Sequence, residues 1–207
     1  MGSMIWKAIR QAMVDFWDEI LLLVVFNVFW VIGVMLIIPG PFVTFALFAI
    51  IYDVGQGKGI SFGKFFSCGW QALKPAYVWG GINLVAIVML VVNINFYASI
   101  DASWAPFLQI VFIGVALFWV MLQWISLPMY PRLEQPGFRL ALRNAAVVIA
   151  RYPLFVLALA IWIVLIGIIS YFLQILFILA GVSLVALLTN RLVEAAVRKE
   201  LQRNIEE

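Results

Sequence analysis

The chain contains no histidine, and its single cysteine is Cys68. The first absence removes the commonest general base and the commonest metal ligand. The second excludes an intrachain disulfide and a cysteine-held metal cluster. Charge is scarce as well: 11% of the 207 residues are Asp, Glu, Lys or Arg, whereas a water-soluble domain carries about 25%. The net charge is +3 and the basic residues are scattered, so the concentrated basic face that nucleic acid requires is missing. Apolar residues make up 66% of the chain and its mean hydropathy is +1.12. Such a chain cannot find enough polar surface to coat a globule in water. Composition therefore points to an integral membrane protein and excludes disordered, collagenous and disulfide-rich secreted folds.

Charges punctuate the sequence. Positions 20–52, 75–100, 102–131 and 152–190 contain no Asp, Glu, Lys or Arg. A crossing takes about 20 apolar residues, so each gap is span-sized or larger. The first gap is interrupted by Pro39-Gly40-Pro41. Proline fixes φ and removes a donor, so one helix should stop there and a second restart at Pro41, where proline suits a first turn. The second helix is short for a full crossing, and the turn is expected below the outer surface, buried in protein or facing a cavity. The last gap is too long for one crossing and is read as two, with a turn near Ser170–Gln174. The expected fold is all-α, with six transmembrane helices at about 20–38, 41–54, 77–97, 105–127, 153–170 and 173–190, all in one domain over 4–207. Met1-Gly2-Ser3 ahead of Met4 reads as a cloning remnant and is set aside.

Six crossings put both termini on one side. On that side fall all 13 basic residues: Lys7 and Arg10, the loops at 53–76 and 128–152, and the tail from Arg191. The opposite side carries only Asp101. By the positive-inside rule both termini and both long loops are cytoplasmic. A missed or invented span would break this partition.

Three segments are amphipathic and are expected at the cytoplasmic interface. In the first, Ile5, Ile9, Ala12, Met13, Phe16 and Trp17 oppose Lys7, Arg10, Gln11, Asp15 and Asp18. In the second, at 62–74, Phe62, Phe65, Phe66 and Leu73 oppose Lys64, Ser67, Gln71 and Lys74. In the third, at 138–151, Leu142, Ala145 and Ile149 oppose Arg139, Arg143 and Asn144. A shift of 77 positions superposes Lys74-Pro75 near Arg151-Tyr152-Pro153, a pattern that fits either a parallel repeat or two ordinary basic connections.

Asn27-x-x-Trp30, Pro39-Gly40-Pro41, Ala46-Leu47-Phe48 and the Phe62…Phe65-Phe66 segment, with the length and span count, resemble the YesL-like family of small, largely uncharacterised bacterial membrane proteins. The specific motif covers about 27–70. Phe42-Val43 stands where small residues are usual, and Tyr52-Asp53 where a basic exit is usual. The resemblance implies a bacterial inner-membrane location and an association with carbohydrate uptake or breakdown.

No ionisable residue lies within a span, which weighs against proton relays and voltage sensing. The intramembrane polar groups are Asn27, Thr44, Asn83, Gln109, Gln123 and Gln174. Each amide could bind a ligand hydroxyl or simply join two helices. The ligand-binding candidates are Asn27, Trp30, Pro39, Gly40, Pro41 and Asn83. Trp30, Trp119 and Trp162 lie deep, whereas the other six tryptophans, Trp79 and Trp124 among them, fall near interfaces, where aromatic belts form. Arg139 and Arg143, at i and i+4, are lipid-phosphate candidates, with plain positive-inside anchoring as the alternative. Gly55-Gln56-Gly57-Lys58-Gly59 lacks phosphate-loop spacing and is a flexible turn. Cys68 reads as a packed thiol or an acylation site.

No catalytic residue, metal or cofactor is expected. The function expected is transport or transport-accessory, linked by the resemblance to carbohydrate, with a polar cavity reaching the Pro-Gly-Pro turn. The alternative is a non-catalytic scaffold or regulatory subunit, with a close-packed core and protein partners or further copies of itself. An enzyme on lipid-linked substrates is the remaining option. Lipid is the one partner the composition itself demands.

Overall fold

The computed structural model describes residues 2–206. Met1 and Glu207 lie outside the described residues, as does the side chain of Arg203 counted above in the tail. Helices follow one another almost without interruption, and no strand occurs among the described residues. They are α1 (Gly2–Asp18), α2 (Ile20–Met35), α3 (Gly40–Gly55), α4 (Phe62–Gln71), α5 (Leu73–Ala98), α6 (Ala105–Met129), α7 (Phe138–Arg151), α8 (Pro153–Phe172), the single turn α9 (Gln174–Leu176) and α10 (Val182–Glu206). A π-helical stretch, Phe177–Gly181, joins α9 to α10. Among the described residues four helical stretches are long and apolar enough to cross a bilayer, or up to five if the bent α1–α2 pair is one span.

The α1–α2 pair bends by 93° at Glu19. α1 lays Ala8, Ile9, Ala12 and Phe16 against the body, as its amphipathic pattern requires. Trp17 stays exposed, and Asp15, placed by the pattern on the solvated face, is buried instead.

The Pro-Gly-Pro break is real and tight. α2 ends at Met35, and Pro41 sits in the first turn of α3. Between them every available backbone donor is used: the N–H groups of Leu36, Ile37, Ile38 and Gly40 donate to Ile32, Val34, Leu36 and Ile37 at 2.7–3.1 Å. Pro39 has no N–H to satisfy. Ile37 closes the turn with φ of 63°, a left-handed conformation that costs a β-branched residue about 1–2 kcal/mol. Met35, Leu36, Ile37 and Ile38 are nonetheless 64–77% exposed. The turn is thus not buried in protein as expected: its side chains stand exposed and apolar, and its N–H groups are satisfied within the turn itself. The second break has the same character. Leu173 leaves helical geometry, its N–H donating to Ile169 at 2.8 Å. Tyr171, Phe172, Leu173 and Ile175 stand exposed around it.

α3 is the most enclosed element. Thr44–Phe48, Ile50 and Ile51 are buried, because α2, α4, α5, α6 and α10 surround it. α4 does not float free of this body. Phe65 is fully buried and stacks on Phe26 of α2 with centroids 4.6 Å apart. Ser61 caps its N-terminus by accepting from Lys64 N–H at 3.3 Å. A second cluster joins the end of α6 with α7, α8 and α10 through Ile125, Met129, Ala145, Phe155 and Leu192.

By contrast α5 and α6 form a hairpin with little cover. Only Ala76 and Asn83 of α5 are buried. α2 and α3 have 16 residues each, about 24 Å at ~1.5 Å per residue, whereas α5 has 26, about 39 Å. Pro41 touches α5 at Gly80. The hairpin therefore runs about 27 Å past the Pro-Gly-Pro turn.

Candidate functional site

Between the hairpin and the body lies a groove of about 630 Å³. Trp30, Gly40, Pro41 and Asn83 line it, together with Trp79 and Gln123. Val34, Ile37, Ile38, Leu84 and Ile87 complete its apolar wall, and each is an exposed residue. The groove thus opens sideways at the apolar surface. No charged side chain lines it.

The structure does not bring Asn27 and Pro39 to this groove. Pro39 precedes α3, its carbonyl accepting from Val43 N–H at 3.0 Å. Asn27 is completely buried in a seam between α2 and the π-helical stretch. Its Nδ2 donates to the carbonyls of Phe177 and Ile178 at 2.9 and 2.7 Å. Its Oδ1 accepts from Ser183 N–H at 2.8 Å. Asn27 thereby joins α2 to both the π stretch and the first turn of α10. Nothing of this amide remains for a ligand.

At the floor of the groove two hydrogen-bond networks are fixed. In one, Trp30 Nε1 donates to Thr44 Oγ1 at 3.0 Å, and Thr44 Oγ1 donates to Gly40 O at 2.7 Å. In the other, Trp79 Nε1 donates to Gln123 Oε1 at 2.7 Å, and Trp119 Nε1 donates to Asn83 Oδ1 at 3.0 Å. Asn83 Nδ2 donates to Trp79 O at 2.9 Å and, more weakly, to Gln123 Oε1 at 3.4 Å. Within this second network Gln123 Nε2 finds no partner among the described residues, although the residue is 93% buried.

Trp79, Trp119 and Gln123 were not among the expected ligand residues. A signal for them exists. Trp79 and Asn83 stand at i and i+4, and so do Trp119 and Gln123. That spacing puts each indole and amide on one helix face. On antiparallel neighbours, two such faces can exchange all four groups.

Two adjacent glycines on the wall differ sharply. A Cβ at Gly80 would lie 2.5 Å from Pro41 Cγ, whereas a Cβ at Gly81 would meet nothing within 4 Å. Gly80→Val is expected to push α5 off α3 and cost about 1–3 kcal/mol. Gly81→Val should be neutral by the same thermal melting measurement.

Arg139 and Arg143 are exposed on α7, opposite its buried Ala141, Ala145 and Val148, and form no ion pair among the described residues. They are far in character from the groove. Cys68, on α4, is half-buried; burial first, and then the Asp53 carboxylate, raise its thiol pKa above the ordinary value. It therefore stays protonated and unreactive at neutral pH. Comparison with protein families, curated proteins and solved structures yields no match for this chain.

Proposed function

We propose that the chain is a transport-accessory subunit of a bacterial inner membrane, non-enzymatic, and linked to carbohydrate uptake through the complex it joins. The carbohydrate link rests on the resemblance to the YesL-like family. The observation that carries the accessory role is the contrast between the buried polar joint at Asn27, which offers no free group to a solute, and an open apolar flank. Three buried hydrogen bonds of Asn27 tie α2 to the π stretch and α10, while the groove between α5 and α3 opens sideways. A sugar does not suit that groove: Trp30, Thr44, Trp79 and Asn83 spend their polar groups within the protein, so most sugar hydroxyls would be left unpaired.

The proposed topology has cytoplasmic termini and six helical passes, with α2 and α3 turning inside the bilayer. Orientation does not depend on that depth. A hairpin returns to the side it left whether it crosses fully or not, so the charge partition is unchanged. The nearly bare α5–α6 hairpin suits either lipid or a partner subunit, and a purely scaffolding role is the second reading, favoured by the same buried joint.

Two experiments test this. In proteoliposomes holding the purified chain alone, labelled mono- and disaccharides should cross no faster than in protein-free vesicles; flux above that level overturns the accessory role. Deletion in the native host should slow uptake of at least one oligosaccharide and be restored in trans, whereas unchanged uptake across the panel favours the scaffold. For topology, Asp101→Cys in a Cys68→Ser background should react with an impermeant thiol reagent in intact cells. Ile37→Cys in that background should react from neither side. A silent Asp101→Cys reverses the orientation, and a reactive Ile37→Cys brings the turn to water.

A further inference from the structure

α1 has two faces with different uses. Ala8, Ile9, Ala12 and Phe16 are buried in the body, and Asp15 is buried with them. The apolar stripe that would ordinarily lie in the bilayer is therefore spent on packing within the protein. On the far side Trp6, Arg10, Val14 and Trp17 follow one another at helical spacing and share one face. Trp6 is 67% exposed, Val14 42% and Trp17 70%. Arg10, and Lys7 beside it, are exposed and form no ion pair among the described residues. Asp18 is the one exposed carboxylate of α1, at the opposite end from Lys7. Trp30, Trp79 and Trp119 donate their indole N–H within the protein, whereas Trp6 and Trp17 find no acceptor among the described residues.

Two bare indoles with a cation between them suit a headgroup layer better than water. There the ring lies among glycerol and upper acyl carbons, its N–H meets an ester or phosphate oxygen, and the cation meets a phosphate. A protein partner fits less well. The three apolar side chains offer roughly half of the ~800 Å² that each side of a stable protein interface buries. Only Glu19 separates α1 from α2. With α2 running into the bilayer, the 93° bend at Glu19 turns α1 toward the membrane plane. We infer that the outer face of α1 is a docking surface for anionic phospholipid, in the leaflet that its own chain enters. The inference rests on the proposed topology only for the entry of α2 into lipid. Two cations near an anionic surface favour the contact about 30-fold. Lipid thus holds α1 from outside, while Asp15 and Arg191 hold it from within.

The test uses the full chain, one per nanodisc, in phosphatidylcholine with or without phosphatidylglycerol. In a Cys68→Ser background, Val14→Cys places an NBD fluorophore between the two indoles. Leu201→Cys places one on the exposed end of α10 as the reference. A nitroxide on the lipid acyl chain, next to the headgroup, should quench the label at position 14 strongly in anionic discs and the label at position 201 little. Lys7→Gln with Arg10→Gln should bring the quenching at position 14 down to its level in phosphatidylcholine alone, as should high salt. Trp6→Ser with Trp17→Ser should lower it in both lipids. All these positions are exposed, so the substitutions leave the packing intact. Quenching at position 14 no greater than at position 201 overturns the inference and leaves the face to a soluble partner. Equal quenching with and without phosphatidylglycerol, or quenching that the charge or indole substitutions leave untouched, overturns the recognition of anionic lipid by this face. The two leaflets of a disc are alike and no sugar is present, so a reversed orientation or a failed accessory role leaves these results unchanged.

Discussion

Asn27→Leu is expected to lower the midpoint of thermal unfolding by about 6–12 °C in a chain of this size. The substitution removes three buried hydrogen bonds at once, to Phe177 O, Ile178 O and Ser183 N. Interhelical bonds in membranes are worth about 0.6 kcal/mol on average and rarely exceed about 1.7 kcal/mol. The greater cost lies in what is stranded. The two carbonyls of the π-helical stretch and the buried Ser183 N–H each lose the Asn27 amide as a partner, and a buried group left unpaired costs about 1–3 kcal/mol. A total near 3 kcal/mol follows. Ser183→Ala is the comparison. It removes only the Ser183 Oγ bond to Leu23 O at 3.1 Å and keeps the backbone N–H on Asn27, so its effect should be about 1 kcal/mol. Equal melting of the two variants would mean that Asn27 does not hold the seam.

Arg191→Met should be comparably damaging, for an electrostatic reason. Arg191 is the point where α1, α3 and α10 meet: its Nε donates to Asp15 at 2.6 Å, and its NH1 group donates to Gly55 O at 3.0 Å and Glu194 at 2.9 Å. The Asp15 side chain is 7% exposed and that of Arg191 13%. Removing one member leaves a buried carboxylate without its cation, a change worth about 3–5 kcal/mol. Asp15→Leu combined with Arg191→Met should therefore lose less than the two single losses added together, which a double-mutant cycle in detergent reads directly. Arg198→Ala is the contrast, because Arg198 is 72% exposed in its pair with Glu194 and should contribute well under about 1 kcal/mol. Additivity of the two substitutions would remove Asp15 as the partner that matters.

These two residues also mark what the sequence could and could not disclose. The spacing of helices was legible because charge is excluded from hydrocarbon, so every long gap between ionisable groups had to be helical and apolar. The first break was legible because proline cannot continue a helix. The break at Leu173 was legible only through length: 152–190 is too long for one crossing, which calls for a turn near Ser170–Gln174, although nothing in Leu173-Gln174 itself forbids helix. The enclosed α3 and the bare α5 carry the same apolar composition, because lipid and protein interior are equally dry and hydropathy cannot tell them apart. Asp15 was assigned to a solvated face because its partner lies 176 positions away. Asn27 stands out as polar in an apolar run, but the sequence holds no means to separate a ligand contact from the helix joint the structure shows. The paired indole and amide spacing in α5 and α6 is present in the sequence, but each half acquires meaning only beside the other.

The unequal reach of the helices bears on the membrane itself. On the proposed topology the α5–α6 hairpin matches a full bilayer, while the tip of α2–α3 ends well short of the far surface. Lipids on that side must dip over the shorter elements, a hydrophobic mismatch with a cost of fractions of a kcal/mol per ångström. The protein should therefore gather where the bilayer is thin, and thin it where it is not. Its stability in vesicles should fall as acyl chains are lengthened.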